Sequence, residues 1–154
     1  MLWDTLFSLT NIVALGGWIL LAFLPRRPAV MSAVLYLGVA VLCAAYLAMF
    51  VSLIGGWVDP QRVGVGPAPA FEYTVDGLRQ MLSSRGGITI AWTHFLAFDL
   101  FVGLWIARDA DAKGFGRTWQ LPILFATFMA GPIGLLAWLI VREPASRRAA
   151  RRKR

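Results

Sequence analysis

Two ionisable side chains, His94 and Asp99, lie within one strongly apolar segment of the chain, and both are of types that transfer protons. Residues 92–101 read Trp-Thr-His-Phe-Leu-Ala-Phe-Asp-Leu-Phe, and His94 is the only histidine in the sequence. A carboxylate in a membrane core costs about 2.5–3.5 kcal/mol on insertion scales, so it normally faces protein or a wet cavity. Because desolvation favours the neutral acid, such a group can donate a proton to an apolar ligand.

Both residues also have purely structural interpretations. Asp99 can hydrogen-bond across helices and fix their packing, and His94 can act as a donor near the membrane interface. We favour a functional role for Asp99, because ionisable residues inside membranes are functional by default. A separation of five residues corresponds to a rotation of about 140° around an α-helix, so His94 and Asp99 do not share one face.

Aromatic and polar residues supply candidate ligand contacts. Dense aromatic side chains suit a long conjugated ligand, although packing or lipid contact is their more frequent role. Polar side chains in the first and last apolar segments can reach the interior of a helical bundle. The predicted substrate-binding residues are Asn11, Trp92, Phe95, Phe98, Trp105 and Thr127.

The sequence lacks the patterns of common metal and cofactor sites. With one histidine, the paired spacings of zinc and di-iron sites are absent. There is no Walker loop, no Rossmann glycine pattern, no cysteine cluster and no nucleophile elbow. We therefore predict neither a metal nor a cofactor. Cys43, the only cysteine, has no partner within the chain for a disulfide.

The composition predicts a membrane protein. Of the 154 residues, 58% are hydrophobic and 15% are charged, and the mean hydropathy is +0.66. Soluble domains are about 45–50% apolar and about 25% charged. This apolar excess predicts an all-α integral membrane bundle of about four helices. The length indicates a single transmembrane domain, residues 1–141.

Four apolar segments are long enough to cross a bilayer core of about 30 Å at about 1.5 Å per residue. The predicted spans lie near 6–24, 30–57, 88–106 and 121–141. A short interfacial amphipathic helix is predicted near 74–84, before the third span. In the last span, a Gly-Pro-Ile-Gly sequence over residues 131–134 predicts a local kink, because proline removes a backbone donor.

Residues 142–154 form a basic tail that contributes strongly to the net charge of +7. Cations that directly follow an apolar segment are typical of a cytoplasmic tail that binds anionic lipid headgroups. No nucleic-acid-binding module accompanies them, so nucleic acid is not a predicted partner. Four crossings with a cytoplasmic tail place loop cations such as Arg26, Arg27 and Lys113 outside, against the positive-inside rule.

Residues 77–84, 92–103 and 128–136 resemble the abscisic-acid-deficient-four family. The specific part is Trp-x-His-x-x-x-x-Asp-Leu-Phe over residues 92–101, and the resemblance covers nearly the whole chain. Plant members of the family are chloroplast membrane proteins needed to make neoxanthin. Leu104 stands where many relatives carry a basic residue.

This resemblance implies action on a carotenoid, namely the rearrangement of the violaxanthin epoxide to the neoxanthin allene. The isomerisation needs no redox cofactor, but it needs an acid at the epoxide oxygen and a base for a carbon-bound proton. Asp99 and His94 are the candidates for these catalytic roles, in unassigned order. The chain start and basic tail favour a bacterial inner-membrane protein, whose substrate is then another carotenoid or isoprenoid lipid.

The leading hypothesis is therefore a carotenoid or isoprenoid isomerase. One alternative is a non-catalytic protein that binds or assembles carotenoid or lipid. A second alternative is a small proton-coupled transporter that uses Asp99. The sequence leaves a homo-oligomer open.

Overall fold

The computed structural model describes residues 2–58 and 74–152, with side chains up to Glu143, and this part of the chain is all-α as predicted. The described residues form α1 (Leu2–Phe23), α2 (Pro28–Ile54), α3 (Val75–Leu82), α4 (Arg85–Ala112), α5 (Arg117–Met129) and α6 (Gly131–Arg152). Three of these helices, α1, α2 and α4, are long and apolar enough to cross a membrane. The chain is accordingly a multi-pass membrane protein.

The central helix is α4, which packs against each of the other five helices. Leu100 of α4 inserts between two glycines, Gly17 of α1 and Gly38 of α2. A Cβ atom at these glycines would lie 2.6 and 2.9 Å from Leu100 Cδ2. Gly38 belongs to a π-helical stretch, Val34–Ala40, within α2. Small residues thus let the three long helices approach one another closely.

The two ends of the bundle carry different polar contacts. At one end, hereafter the α3 end, Arg85 at the start of α4 pairs with Asp4 at the start of α1, with Nη1 and Oδ2 3.2 Å apart. Both side chains are exposed, so the pair contributes little to stability. This contact places the first residues of α1 and α4 at the same end.

The opposite end, hereafter the basic end, is held together by arginines. Arg117 Nη2 donates to the carbonyl oxygens of Ala22, at 2.9 Å, and Leu24, and so satisfies acceptors at the C-terminus of α1. The side chain of Arg26 is only 8% exposed, and its Nη1 donates to Asp111 Oδ1 at 2.8 Å. These contacts fasten the α1–α2 connection to the α4–α5 connection.

The C-terminal apolar segment folds back on itself as a helical hairpin of α5 and α6. Ala130 leaves the helical conformation, with φ −156° and ψ 81°, and ends α5. A Cβ atom at Gly134 would lie 2.1 Å from Oγ1 and 2.3 Å from the backbone nitrogen of Thr127. Seven residues of one straight helix span about 10.5 Å, so this contact requires α6 to run back along α5.

Contacts farther from the hairpin tip give the same direction for α6. Trp138 Nε1 and Arg142 Nε donate to Asp109 Oδ2, at 3.0 and 3.1 Å respectively. The Trp138 ring also packs edge-on against Phe115, with centroids 5.5 Å apart. Because Asp109 and Phe115 precede α5 in the chain, α6 returns to the basic end from which α5 starts.

The structure does not confirm a fourth span over 121–141, and it has a reversal of the chain where the sequence predicts a kink. The 13 residues of α5 extend about 20 Å, which is less than a bilayer core of about 30 Å. The extended backbone of Ala130 interrupts the helix, and Pro132 has no N–H group with which to continue it. The described structure thus combines three candidate spans with a hairpin that starts and ends at the basic end.

The other predicted spans and the predicted interfacial helix all correspond to helices, but the bounds of these helices differ from the predicted ones. The first two, 6–24 and 30–57, correspond to α1 and α2, while the third, 88–106, is extended at both ends in α4. The predicted interfacial segment contains α3, whose N-cap residue Thr74 accepts a hydrogen bond at Oγ1 from Gly77 N at 3.0 Å. The side chains of the basic tail beyond Glu143 lie outside the described residues.

Replacing Gly134 by alanine is expected to destabilise the protein, because the added Cβ meets the backbone of Thr127 as well as its hydroxyl. Overpacking of this kind costs about 1–3 kcal/mol. The matched control is Gly16→Ala, since a Cβ at Gly16 of α1 has no atom within 4 Å. We expect the midpoint of thermal unfolding in detergent to fall for Gly134→Ala and to stay the same or rise for Gly16→Ala. Equal effects would contradict the hairpin contact.

Single-cysteine variants distinguish the hairpin from a single crossing helix. In a Cys43→Ser background, the exposed positions Ser83, Ala112 and Glu143 are replaced by cysteine one at a time. A membrane-impermeant maleimide should modify Ala112→Cys and Glu143→Cys from one side of the membrane, and Ser83→Cys from the other. Modification of Glu143→Cys and Ser83→Cys from the same side would show that 121–141 crosses as one helix.

Candidate functional site

Asp99 lies on α4 beside the tip of the hairpin. A Cβ atom at Gly131 would lie 1.9 Å from Asp99 Oδ1 and 2.6 Å from its Cγ, so glycine is required for this approach. Gly131 is the first residue of α6, where backbone N–H groups and the helix dipole favour negative charge or a hydrogen-bond acceptor. Within the described residues, Asp99 has no hydrogen bond or ion pair.

The carboxyl group of Asp99 lies at the middle of the longest helix. At about 1.5 Å per residue, it is about 21 Å from Arg85 and about 20 Å from Ala112. Its side chain is half-buried, so the carboxyl group is not enclosed in the core. Its position along α4 places it far from both ends of the bundle. In a membrane crossed by α4, this depth corresponds to the bilayer centre.

One face of α4 changes its environment at Asp99. Ile88, Trp92, Phe95 and Asp99 recur at helical spacing and form a line, hereafter the α4 stripe. The three apolar members, toward the α3 end, are 52%, 43% and 57% exposed. Toward the basic end the same face continues with Ile106, which is 0% exposed. The exposed part of this face therefore ends near Asp99, where Gly131 of the hairpin approaches α4.

The second predicted catalytic residue, His94, lies on a different face of α4. Its ring centroid is 4.6 Å from that of Phe98 and 5.7 Å from that of Tyr46 in α2. The His94 side chain is exposed, whereas Asp99 contacts α6. The structure therefore does not bring the two residues together, which agrees with the rotation of about 140° that separates them on a helix.

A hydrogen bond between two of the predicted ligand-contact residues, Asn11 of α1 and Trp92 of the α4 stripe, joins the two helices. Trp92 Nε1 donates to Asn11 Oδ1 at 3.1 Å, and Asn11 Nδ2 donates to the carbonyl oxygen of Phe7 at 2.7 Å. The Trp92 ring also stacks on the Phe7 ring, with centroids 6.1 Å apart. The indole N–H of Trp92 and the amide of Asn11 therefore have hydrogen-bond partners within the protein.

Two other predicted contact residues, Thr127 and Trp105, have structural surroundings. Thr127 is fully buried, donates from Oγ1 to the carbonyl oxygen of Ile123 at 2.8 Å, and packs against Gly134. The Trp105 ring lies toward the basic end, 5.6 Å from the guanidinium carbon of Arg142. Thr127 therefore closes the hairpin, and Trp105 packs at its base.

Sequence reasoning did not select Tyr46 or the specific contact of Gly131. A lone tyrosine in an apolar segment carries no pattern that reveals its proximity to His94. Gly131 was recognised as part of a break, but its contact with Asp99 joins two helices distant in sequence. Only the arrangement of α4 and α6 could reveal either contact.

A cavity of about 170 Å³ lies between α1 and α2, away from Asp99. Its lining is apolar and includes Ile12, Gly16 and Leu37, with no titratable side chain. The half-buried Asp99 side chain instead lies beside exposed residues of the α4 stripe.

The chemistry available on the α4 stripe is that of one carboxyl group in apolar surroundings. A neutral carboxylic acid donates a proton, and the carboxylate that remains accepts one, so a single group can serve as acid and base in turn. Within the described part of the chain, no three His, Cys, Asp or Glu side chains form a group that could hold a metal ion. The chemistry that Asp99 itself can supply is proton transfer.

Comparison with known proteins identifies a family for this chain. The family model described as ABA4-like, ABA DEFICIENT 4-like, matches residues 5–138. The matched region includes most of α1, all of α2 to α5 and the first part of α6, and so covers every predicted site residue. No curated protein and no solved structure matches the chain. Since most of the sequence fits this model, the chain belongs to the ABA4-like family.

Proposed function

We propose that this protein is a membrane isomerase that rearranges a carotenoid or related isoprenoid by acid–base chemistry at Asp99. The supporting observation is the carboxyl group itself, which lies at mid-depth beside Gly131 with no bonding partner in the described residues. An ionisable group in hydrocarbon is costly, and this one closes no ion pair that would offset the cost. Family membership and the resemblance to proteins needed for neoxanthin support the substrate class.

Both proton transfers of the proposed reaction are assigned to Asp99. The neutral carboxyl donates its proton to the epoxide oxygen as a carbon–oxygen bond breaks, and the oxygen becomes a hydroxyl group. The carboxylate then removes a proton from the carbon next to the cationic centre, and the electrons of that C–H bond form the new double bond. The proton returns to Asp99, so the reaction is an isomerisation with no co-reactant. His94, on another face, has no part in these steps.

A second candidate function is non-catalytic binding of a carotenoid or lipid. The cavity between α1 and α2 favours it, because that cavity is apolar and contains no group able to transfer a proton. Proton-coupled transport is a third candidate. Half-length helices that meet near the bilayer centre are typical of transporter sites, and the hairpin tip beside Asp99 has this form.

Pigment chromatography after expression in a carotenoid-producing host tests the enzymatic proposal. We expect a new isomer with the unmodified protein and a loss of about 10²-fold or more with Asp99→Asn, since general acid–base catalysis contributes about 10²–10⁴-fold. His94→Ala is the matched control on the same helix and should keep most of the activity.

An isomer that still forms with Asp99→Asn would contradict the assignment of Asp99. Unchanged pigment that co-purifies with the protein, without any isomer, would support the binding function instead. Solute uptake that depends on Asp99 would support transport.

We also propose that the basic end faces the cytoplasm of a bacterial inner membrane. The hairpin brings the chain back to the end where Arg27, Arg108 and Lys113 lie. The loop cations and the basic tail then share one side, so the conflict with the positive-inside rule that four crossings create is removed. Anionic lipid headgroups on that side are suitable partners for these cations.

Labelling of intact bacterial cells tests this orientation. With the single-cysteine variants described above, the impermeant maleimide should modify Ser83→Cys in intact cells. Modification of Ala112→Cys should require permeabilised cells, because this position lies at the basic end. The opposite pattern would place the basic end outside.

A further inference from the structure

We propose that the buried guanidinium group of Arg26, at the basic end, binds an oxyanion such as the phosphate of a lipid headgroup. The site lies where the α1–α2 connection meets the end of α4 and the start of α5. This inference does not depend on the proposed reaction at Asp99. It adds a polar binding site at the membrane boundary.

Only one nitrogen of the Arg26 guanidinium group has partners in the described part of the chain. The side chain is 8% exposed. Its Nη1 donates to the carbonyl oxygen of Ala107 at 3.0 Å, to Asp111 Oδ1 at 2.8 Å and to Gln120 Oε1. Its Nε and Nη2 are buried and have no hydrogen-bond partner among the described residues. Buried N–H groups of a charged side chain are costly without an acceptor, so this edge of Arg26 requires one.

The geometry of the unpartnered edge selects the kind of acceptor. Nε and Nη2 lie on one side of the planar guanidinium group, and such a pair of donors matches two oxygens of a phosphate or carboxylate. The protein groups nearby are already engaged, since Asp111 Oδ1 also accepts from Gln120 Nε2 at 3.1 Å. Gln120 Nε2 in turn donates to the carbonyl oxygen of Phe115 at 2.6 Å. An oxyanion from outside the described chain therefore fits this edge.

The charges around Arg26 also favour an anion. Arg117, the first residue of α5, donates to the carbonyl oxygen of Leu24, so its positive charge lies at the same connection as that of Arg26. Asp111 offsets one of these two charges, and the neighbouring carboxylate of Asp109 is already paired with two other cations. A water molecule would supply an acceptor, but only an anion also offsets the surplus charge.

The depth of the site matches that of lipid phosphates. Asp111 lies twelve residues after Asp99 on α4, which corresponds to about 18 Å, whereas half of a bilayer core is about 15 Å. With Asp99 at the bilayer centre, Arg26 therefore lies just outside the hydrocarbon. Pro25 and Arg27 are exposed beside it, so a headgroup meets the protein here. Because Nε and Nη2 themselves are covered, binding also requires side chains at this surface to shift.

This site differs from the general attraction between the basic end and anionic lipid. An exposed loop cation such as Arg27 acts through its charge, so lysine can replace it. At Arg26 the two parallel donors of one edge are required, and lysine cannot supply them. Lysine substitutions at the two positions therefore distinguish a site from a diffuse attraction.

Lipid-dependent thermal unfolding of the full-length protein, purified in detergent and freed of bound lipid, tests the proposal. The probes are dioleoylphosphatidylglycerol, dioleoylglycerol, which has the same acyl chains without a phosphate, and inorganic phosphate. A ligand that binds the folded state raises the unfolding midpoint, and the concentration dependence gives its apparent affinity. Arg27→Lys is the matched control for Arg26→Lys.

We expect phosphatidylglycerol to raise the midpoint and dioleoylglycerol to leave it unchanged. Arg26→Lys should weaken the apparent affinity about ten-fold, and Arg27→Lys should leave it unchanged. Asp111→Asn should bind more tightly, because it keeps an acceptor for Arg26 and removes a negative charge. A purely structural contact would instead lower the midpoint in both variants without changing its dependence on lipid.

Equal affinities of Arg26→Lys and Arg27→Lys, equal stabilisation by dioleoylglycerol, or unchanged or weaker binding by Asp111→Asn would overturn the proposal. A rise in the midpoint with inorganic phosphate would support the site and identify free phosphate as a source. A rise with phosphatidylglycerol alone would support the site and identify the lipid headgroup. If Arg26→Lys does not fold, Asp111→Asn and the comparison of the two lipids still decide the outcome.

Discussion

The approach of Gly134 to Thr127 closes a helical hairpin within the apolar part of the bundle, and the site depends on this contact. Inside a membrane, a reversal of the chain interrupts helical hydrogen bonding and is tolerated only where other protein covers it. Here α4 covers the tip through Asp99, while Trp18 of α1 packs edge-on against Phe128, with centroids 5.5 Å apart. The reversal is therefore supported from two sides by helices that precede it in the chain.

The base and the tip of the hairpin differ in their chemistry. At the base, Asp109 accepts hydrogen bonds from Trp138 and Arg142 and lies 3.5 Å from the Lys113 ammonium group. A carboxylate with several partners holds its surroundings in one arrangement. At the tip, the carboxyl group of Asp99 has no such partners in the described residues. The fold thus combines a polar network that fixes the base of the hairpin with a carboxyl group that lacks such partners at its tip.

The three long spans could be predicted from sequence because continuous apolar length is a strong signal for a crossing helix. The hairpin could not, since the length of 121–141 also fits one crossing and a Gly-Pro pair is compatible with a kink. The bond from Trp138 to Asp109 decides between them, and it joins residues far apart in sequence. The distribution of loop cations was the one sequence signal against four crossings.

Part of the candidate site could also be predicted from sequence, where the signal lies within one helix. Asp99 could be selected because a carboxyl group within an apolar span is expensive. The helical period also separated it correctly from His94. Its neighbour Gly131 and the open face beside it could not be predicted, because both depend on where α6 turns. The structure places Trp105 beside Arg142 and gives Thr127 a hydrogen bond to Ile123, which are contacts that the sequence pattern does not reveal.

The short hairpin also constrains how the protein is made. Neither α5 nor the returning part of α6 is long enough to remain in a bilayer by itself, so each needs a protein surface that is already in place. That surface consists of α1 and α4, which the ribosome synthesises earlier. The order of the chain therefore makes the two supporting helices available before the hairpin that packs against them.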